Sequence, residues 1–302
     1  MGGTGSADHP GGPADLDEAM AVFARVRPRL FGIAYRMLGS ATEAEDLVQD
    51  VWLRWQSYDR GTVADPTAFL ATTTTRLAIN VLQSARVRRE TYVGPWLPEP
   101  VDTSADPYLG AERGEALSLA VLFLLERLSP TERAAYVLRE AFDYPYPQIA
   151  DIVQVGEAAA RQLVSRARKH LRSERRAPVT GAEQRRLLTA FVAAARTGDL
   201  AALEKILAAD VVSYSDGGGA ARASRFPVVG AVRVAKYVRA FADRFWTGVD
   251  VRWAGVNGQT AALLHRDGEL FTVLTVDASD DGIEQVLWMM NPGKITAASG
   301  AA

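Results

Sequence analysis

"VGEAAARQLVSRARKHLR", residues 155–172, decides how this chain is read. Ala160, Leu163, Val164, Ala167 and Leu171 recur at helical spacing and make one apolar stripe. Arg161, Ser165, Arg168 and Arg172 fall on the outer face, with Gln162, Arg166 and Lys169 alongside. Seven Lys and Arg residues lie between Arg161 and Arg176, yet the whole chain has 34 basic against 36 acidic side chains and a net charge of −2. Just upstream, Ile149, Ala150, Val153 and Val155 have the spacing of a first helix and its turn, so the pair predicts a helix-turn-helix. Gln154 stands where a turn glycine is common, and Ala160 where a β-branched residue is. Such a second helix suits a major groove: side chains near its start meet base edges, and later Arg and Lys residues hold phosphates. A basic helix that is merely solvated has the same charge, but not the same spacing to its neighbour.

Composition frames that reading. At 302 residues, 48% hydrophobic and 23% charged, the chain is long enough for two or three globular domains. No run of 18 uncharged apolar residues occurs, so no spanning helix is expected. The start, "MGGTGSADHPGGPAD", lacks the basic and apolar segments of a secretory signal and reads as a disordered tail, which predicts a cytoplasmic protein. There are no cysteines, and His9, His170 and His265 are scattered, so neither a metal nor a cofactor is expected.

From Leu16 to about Arg89 the pattern is also helical. In "SATEAEDLVQDVWLRW", residues 40–55, Ser40 and Glu43 have capping-box spacing. Ala44, Leu47, Val48, Val51, Trp52 and Trp55 share one face, and Asp46, Gln49, Asp50 and Leu53 lie on the opposite one. An acidic face is often just solvated, but a leucine among the acids points to a partner. "DPTAFLATTTTRLAINVLQSARVRRE", residues 65–90, follows; its four threonines predict a bend or tight packing at 72–75. Its basic end, Arg86, Arg88 and Arg89, suits a nucleic-acid strand as well as a helix dipole. "LSPTERAAYVLREAF", residues 128–142, starts a further helix at Ser129–Pro130.

The acidic-faced "AEDLVQDVW", the segment ending "SARVRR", and "LSPTERAAYVLRE" followed by "IADIV" and "ARQLVSRARKHL" together resemble a bacterial RNA polymerase sigma factor of the extracytoplasmic-function type, with regions 2 and 4 only. "RRETYVGPWLPEPV", residues 88–101, resembles the linker of a subgroup whose members carry a SnoaL-like domain after region 4. The resemblance implies a tail at 1–15, region 2 at 16–90, a linker at 91–111, region 4 at 112–175 and a SnoaL-like domain at 181–297. It implies core RNA polymerase as partner, through the β′ clamp helices and β flap, with Asp46, Gln49, Asp50 and Leu53 docking on the clamp. Promoter DNA would meet Arg76, Asn80, Arg86 and Arg88 at the −10 element. Glu157, Arg161, Gln162, Ser165, Arg166 and Arg168 would meet the −35 element. Related factors often have an acid at position 80 and a base at 83, where this chain has Asn80 and Gln83. A near-neutral chain with one basic helix should bind free DNA weakly, which fits a specificity subunit better than an autonomous repressor.

After "RAPVTGAEQ", residues 176–184, the pattern changes. Helices at 187–195, 200–208 and 232–246 and strands at "VVSYSDGGG", "VDVRWAG", "TAALLHR", "LFTVLTVD" and "IEQVLWMMN" describe an α+β cone with a curved antiparallel sheet. The fold class expected is therefore multidomain: two all-α domains followed by an NTF2-like cone. Tyr214, Trp246, Trp253, His265 and Trp288, with Met290, are the candidate lining of a pocket for an unidentified small molecule. Asp216, His265 and Tyr214 are the side chains a base-catalysed isomerase or cyclase of this fold would use. Asp216 also simply opens a glycine turn and His265 ends a strand, so no catalytic residue is assigned and an enzyme is not expected. The subgroup's signatures "WLPEP", "DGGGK" and "NPDKL" imply contact between the extension and the sigma regions. Here Trp96–Pro100 is intact, 216–220 reads "DGGGA" and 291–295 reads "NPGKI", so Trp96, Leu97, Pro98, Asp216, Gly217, Asn291 and Pro292 are the candidate interdomain residues. The alternatives are a helix-turn-helix repressor with a ligand-sensing domain and a bifunctional protein with an isomerase- or cyclase-like domain.

Overall fold

In the computed structural model, residues 13–103, 117–174, 176–296 and 298 are described; of 13–15, 85–90 and 174 only the backbone is. Three helices form the first block: α1 (Pro13–Leu38), α2 (Ala41–Ser57) and, after a single 3-10 turn at Arg60–Thr62, α3 (Pro66–Glu90). The second block holds α4 (Leu119–Leu125), α5 (Pro130–Phe142), α6 (Tyr146–Val153) and α7 (Glu157–Glu174). Ser129 caps α5 in a reciprocal capping box with Glu132, and Pro130 sits at its first position.

The two blocks share one core. Leu30, Ile33 and Leu70 of the first pack in the same buried cluster as Leu138, Ile149 and Val164 of the second, all at 0% exposure. Each such side chain contributes about 1.5–3 kcal/mol on burial. Arg133 of α5, 1% exposed, reinforces the join by donating to the Arg36 carbonyl at the end of α1.

The threonine run does not break α3. Each hydroxyl from Thr72 to Thr75 donates to the carbonyl four residues earlier at 2.8–2.9 Å, and Thr74 and Thr75 are fully buried. Of the two expectations for this run, tight packing is the one seen at Thr74 and Thr75, within an unbroken helix. Gln154 ends α6 in the left-handed region, with φ 59°. A side chain there costs about 1 kcal/mol. Gln154→Gly is therefore expected to raise unfolding stability by about 1 kcal/mol in denaturant titration, without moving the helices.

The extension comprises α8 (Gly181–Thr197), α9 (Leu200–Ile206), β1 (Leu207–Asp216), β2 (Val228–Val229), α10 (Ala231–Trp246), β3 (Val249–Val256), β4 (Gln259–Arg266), β5 (Glu269–Ser279), β6 (Gly282–Met289) and the short α11 (Pro292–Ile295). Strand order is β2-β1-β6-β5-β4-β3. The sheet is mixed: β6 returns beside β1 in parallel register, Tyr214 opposite Leu287, while the other neighbours are antiparallel. Asn257–Gly258 and Asp267–Gly268 make the β3–β4 and β4–β5 turns, both residues of each pair at positive φ. Helices α8, α9 and α10 cover the inner face around Phe191, Val234 and Trp288. The outer face packs Leu263, Val273 and Leu287 against Leu97 of the linker and Leu119 and Ala120 of α4.

Arg176, the last member of the basic run, does not belong to the helical face. It bonds Asp210 and Glu284 at 2.9–3.1 Å and pairs with Asp281, tying the chain to the extension as it leaves α7.

Candidate nucleic-acid interface and interdomain clasp

The start of α7 presents Glu157, Arg161, Gln162 and Ser165 to solvent, while Ala160, Val164 and Ala167 are buried completely. Arg161 pairs with Glu157 at 2.6 Å, and its guanidinium lies 4.4 Å from the centre of the Tyr146 ring. That pre-orients one arginine at the helix start. Arg166 and Arg168 are steered towards α5 instead: Arg166 donates to Glu132 at 3.0 Å and Arg168 to Glu140 at 2.6 Å. Partial burial works against the Glu132 charge, but hydrogen bonds from Ser129 and the adjacent Arg166 outweigh it and hold its carboxyl below the usual range.

On α2, Asp46, Gln49, Asp50 and Leu53 are all exposed, Leu53 at 54%, above a buried stripe of Ala44, Leu47, Val48, Val51 and Trp55. On α3, Asn80 is exposed, and the side chains of Arg86 and Arg88 lie outside the described residues. Arg76 is exposed, but its guanidinium is held against α6. It donates to the carbonyls of Asp151 and Ile152 at 2.8 and 3.0 Å, near the C-terminus of α6, where helix carbonyls attract a cation.

The linker motif is a clasp, and each of its residues has a task. Trp96 lies against Gly39, where a Cβ would come within 2.9 Å of the indole and φ is +67°. The Leu97 side chain is fully buried, and both its backbone polar groups are used: N–H to Asp216 at 2.8 Å, carbonyl from Lys294 at 2.7 Å. Pro98 and Pro100 are buried on either side of Glu99. Glu99 accepts from the Ala41 and Thr42 amides at 2.7 and 3.1 Å and from the Ser40 hydroxyl at 2.7 Å. The predicted helix start at Ser40 is present, its hydroxyl accepting from the Glu43 amide, but a residue 58 positions downstream of Ala41 supplies its charge.

On the extension's side, Asp216 is fully buried at the end of β1. It accepts from Tyr92 at 2.5 Å and from Lys294 at 2.7 Å. Lys294 lies 4.1 Å from the centre of the Trp96 ring. Burial, helped by the Asp216 carboxylate, holds the Tyr92 phenol well above its ordinary value. Asn291 donates to the Tyr92 hydroxyl at 2.8 Å, and Pro292 starts α11, which carries Lys294. The glycines after Asp216 are required by closeness: a Cβ on Gly217 would stand 2.6 Å from the Ala221 carbonyl, and one on Gly218 2.2 Å from the Asn291 amide.

A second junction lies at Asn257, in the β3–β4 turn. Its amide donates to the Tyr35 hydroxyl at 2.7 Å and the Leu117 carbonyl at 3.0 Å, and its carbonyl oxygen accepts from the Val101 amide at 3.0 Å. Tyr35 in turn donates to the Glu99 carbonyl at 2.6 Å. Tyr92, Glu99, Lys294, Asn257 and Tyr35 were not singled out in the sequence. An acid between two prolines and an Asn-Gly turn were the available signals, and each reads locally as a spacer or a hairpin.

The cone also holds a cavity of about 780 Å³ between α10, the sheet and α11. Trp246 and Trp288 line it; Tyr214, Trp253 and His265 do not, which corrects the expected lining. Tyr214 is on the outer face, edge-on to Phe123 of α4 at 4.9 Å. His265 is buried away from the cavity with Nδ1 3.3 Å from the Leu263 carbonyl, and Trp253 is 38% exposed on the edge strand. Asp216 is committed to the clasp, so the three candidate bases do not meet in one pocket.

Residues 22–88 match the family model of Sigma-70 region 2, and residues 118–171 that of Sigma-70, region 4. The chain is 37% identical over 289 residues to the ECF RNA polymerase sigma factor SigJ of Mycobacterium tuberculosis, across 91% of this chain and 92% of that protein. It is 34% identical over 204 residues to a probable ECF RNA polymerase sigma factor, SigI, of the same species, across 66% and 70%. The fold is similar to the crystal structure of the M. tuberculosis extracytoplasmic function sigma factor SigJ, with a TM-score of 0.74 and 32% identity, covering 92% of this chain and 98% of that one. With both sigma regions in order, and with that identity reaching through the extension, the chain belongs to the extracytoplasmic-function RNA polymerase sigma factors.

Proposed function

We propose that the chain directs core RNA polymerase to promoters from the cytoplasm, and that its clasp sets how readily it does so. As a sigma factor it is a transcription initiation factor and not an enzyme. The exposed outer face of α2, with Asp46, Gln49, Asp50 and Leu53, docks on the β′ clamp helices, and the second block meets the β flap. The start of α7 reads the −35 element through Arg161, Gln162 and Ser165, with Glu157, Arg166 and Arg168 around them. Arg76, Asn80, Arg86 and Arg88 hold the −10 strand.

The observation that carries this reading is the pairing of two solvent-facing surfaces of opposite chemistry, an acidic one with a leucine on α2 and a polar, basic one at the start of a helix-turn-helix. Elements some 25 base pairs apart lie roughly 80 Å apart along B-DNA. Two blocks that share a core and hold Arg76 against α6 do not reach both at once. The packed arrangement is therefore a resting state, and promoter recognition requires α3 and α6 to separate, which frees Arg76.

Run-off transcription with core polymerase tests the assignments. Asp50→Arg is expected to lower polymerase affinity at least tenfold with an unchanged melting curve, since it puts a cation on the acidic face; unchanged affinity removes the clamp assignment. Arg161→Ala is expected to cost about 1–3 kcal/mol of discrimination at one −35 base pair. An equal loss on every promoter would make Arg161 a phosphate contact.

A further inference from the structure

The cavity of the extension has a charge pattern that the sigma function does not use. Its walls are aromatic and apolar, including Phe241, Phe245, Trp246 and Trp288. Tyr237, which bonds Ser215, adds a polar point whose phenol burial holds above its ordinary value. Three arginines, Arg222, Arg244 and Arg266, line the same space against one acid, Glu269. Arg266 is fixed in place, donating to the Phe245 carbonyl at 2.6 Å and lying 4.5 Å from the centre of the Phe271 ring. Arg222 and Arg244 are exposed, and neither pairs with a carboxylate among the described residues. Basic side chains of one sign at the mouth of an apolar cavity focus a positive potential there, which draws an anion towards it.

We infer that the cavity binds an amphipathic organic anion, with an aromatic or polycyclic body among the rings and a carboxylate, sulfonate or similar group at the arginines. A volume near 780 Å³ suits a molecule of drug-like size. The site is also wired to the clasp. Ser215 lines it, and the next residue is Asp216; Pro292 and Ile295 line it, and Lys294 lies between them on α11. An occupant touches the backbone neighbours of both partners of the buried ion pair that holds Leu97, so its binding stabilises the clasped form. The role of the clasp rests on the sigma-factor reading; the binding itself does not.

The test uses the full chain without polymerase. Two probes share one ring system: 1-anilinonaphthalene-8-sulfonate, which is anionic, and N-phenyl-1-naphthylamine, which is neutral. The anion is expected to bind at least tenfold tighter. Arg222→Gln with Arg244→Gln, both at exposed positions, is expected to cut that preference at least threefold, Arg266 remaining, and to leave the neutral probe's affinity unchanged. Phe241→Glu, also exposed, is expected to remove anion binding. Equal affinities in the unaltered chain, or a preference that the double substitution leaves undiminished, would overturn the site. Hydrogen exchange at the Leu97 amide reads the coupling: saturating anion is expected to slow it at least threefold, and not in Phe241→Glu. Binding with no change at Leu97 would overturn the transmission to the clasp. A sigma factor whose transcription is intact but whose cavity ignores the anion would leave the reading above standing and this one refuted.

Discussion

Asp216→Ala is expected to destabilise the protein by about 3–5 kcal/mol, the cost of leaving a buried charge without its counter-charge. Lys294 is 9% exposed at its side chain and Asp216 not at all, so water cannot take over the lost bond. The same substitution strips the Leu97 amide and the Tyr92 hydroxyl of their acceptor. Denaturant titration measures the loss. A second variant separates charge burial from general damage: Asp216→Ala combined with Lys294→Met is expected to recover most of the loss, because an apolar replacement of a buried pair is often near neutral. If the double variant is no better than the single one, the cost lies in the backbone contacts and not in the orphaned ammonium.

Glu99→Ala is expected to cost about 2–3 kcal/mol, from two charge-assisted amide bonds and the hydroxyl bonds of Ser40 and Thr42 at the start of α2. Glu99→Gln keeps one acceptor oxygen, which can still serve the Ala41 and Thr42 amides without the charge, and should lose about half as much. Exchange of the Ala41 and Thr42 amides is the local measurement, and both should speed up by the factor that matches the global loss or more. Because α2 carries the proposed polymerase-docking face, the alanine variant should also bind core polymerase less tightly, whereas Asp216→Ala should not change the promoter chosen.

How much of this was legible in the sequence differs from element to element. The helix-turn-helix was, since Ile149, Ala160 and Val164 meet within one local unit whose spacing the backbone imposes. The α2 face was legible for the same reason. The cavity lining was not. Alternation along a strand tells two faces apart only if one of them is wet, and here both are covered: β4 is buried at every position from Ala261 to His265. Tyr214 and His265 therefore looked like pocket residues, but Tyr214 packs on Phe123 of α4 and His265 is buried outside the cavity. The parallel pairing of β1 with β6 was hidden because register between strands far apart in sequence leaves no local trace. The linker gave half of itself away. Resemblance marked Trp96, Leu97, Pro98, Asp216 and Asn291; its motifs also span Glu99 and Lys294 but assign them no task, because the partners of Glu99 lie in α2 and the charge of Lys294 is used only once Asp216 is buried beside it.

The outer face of the sheet has a consequence for how such a chain can be inherited. Leu97, Leu119 and Ala120 are at most 1% exposed because Leu263, Val273 and Leu287 of the extension lie on them, and the Tyr35 hydroxyl has Asn257 for a donor. A gene that lost the extension by one deletion would encode sigma regions with a bare apolar strip and a Tyr35 hydroxyl that keeps its Glu99 acceptor but loses its Asn257 donor. Such a product would be sticky before it was deregulated. Acquisition or loss of the extension must therefore travel with substitutions in the linker and α4, so that these three segments of the gene descend as one unit although they are separated along it.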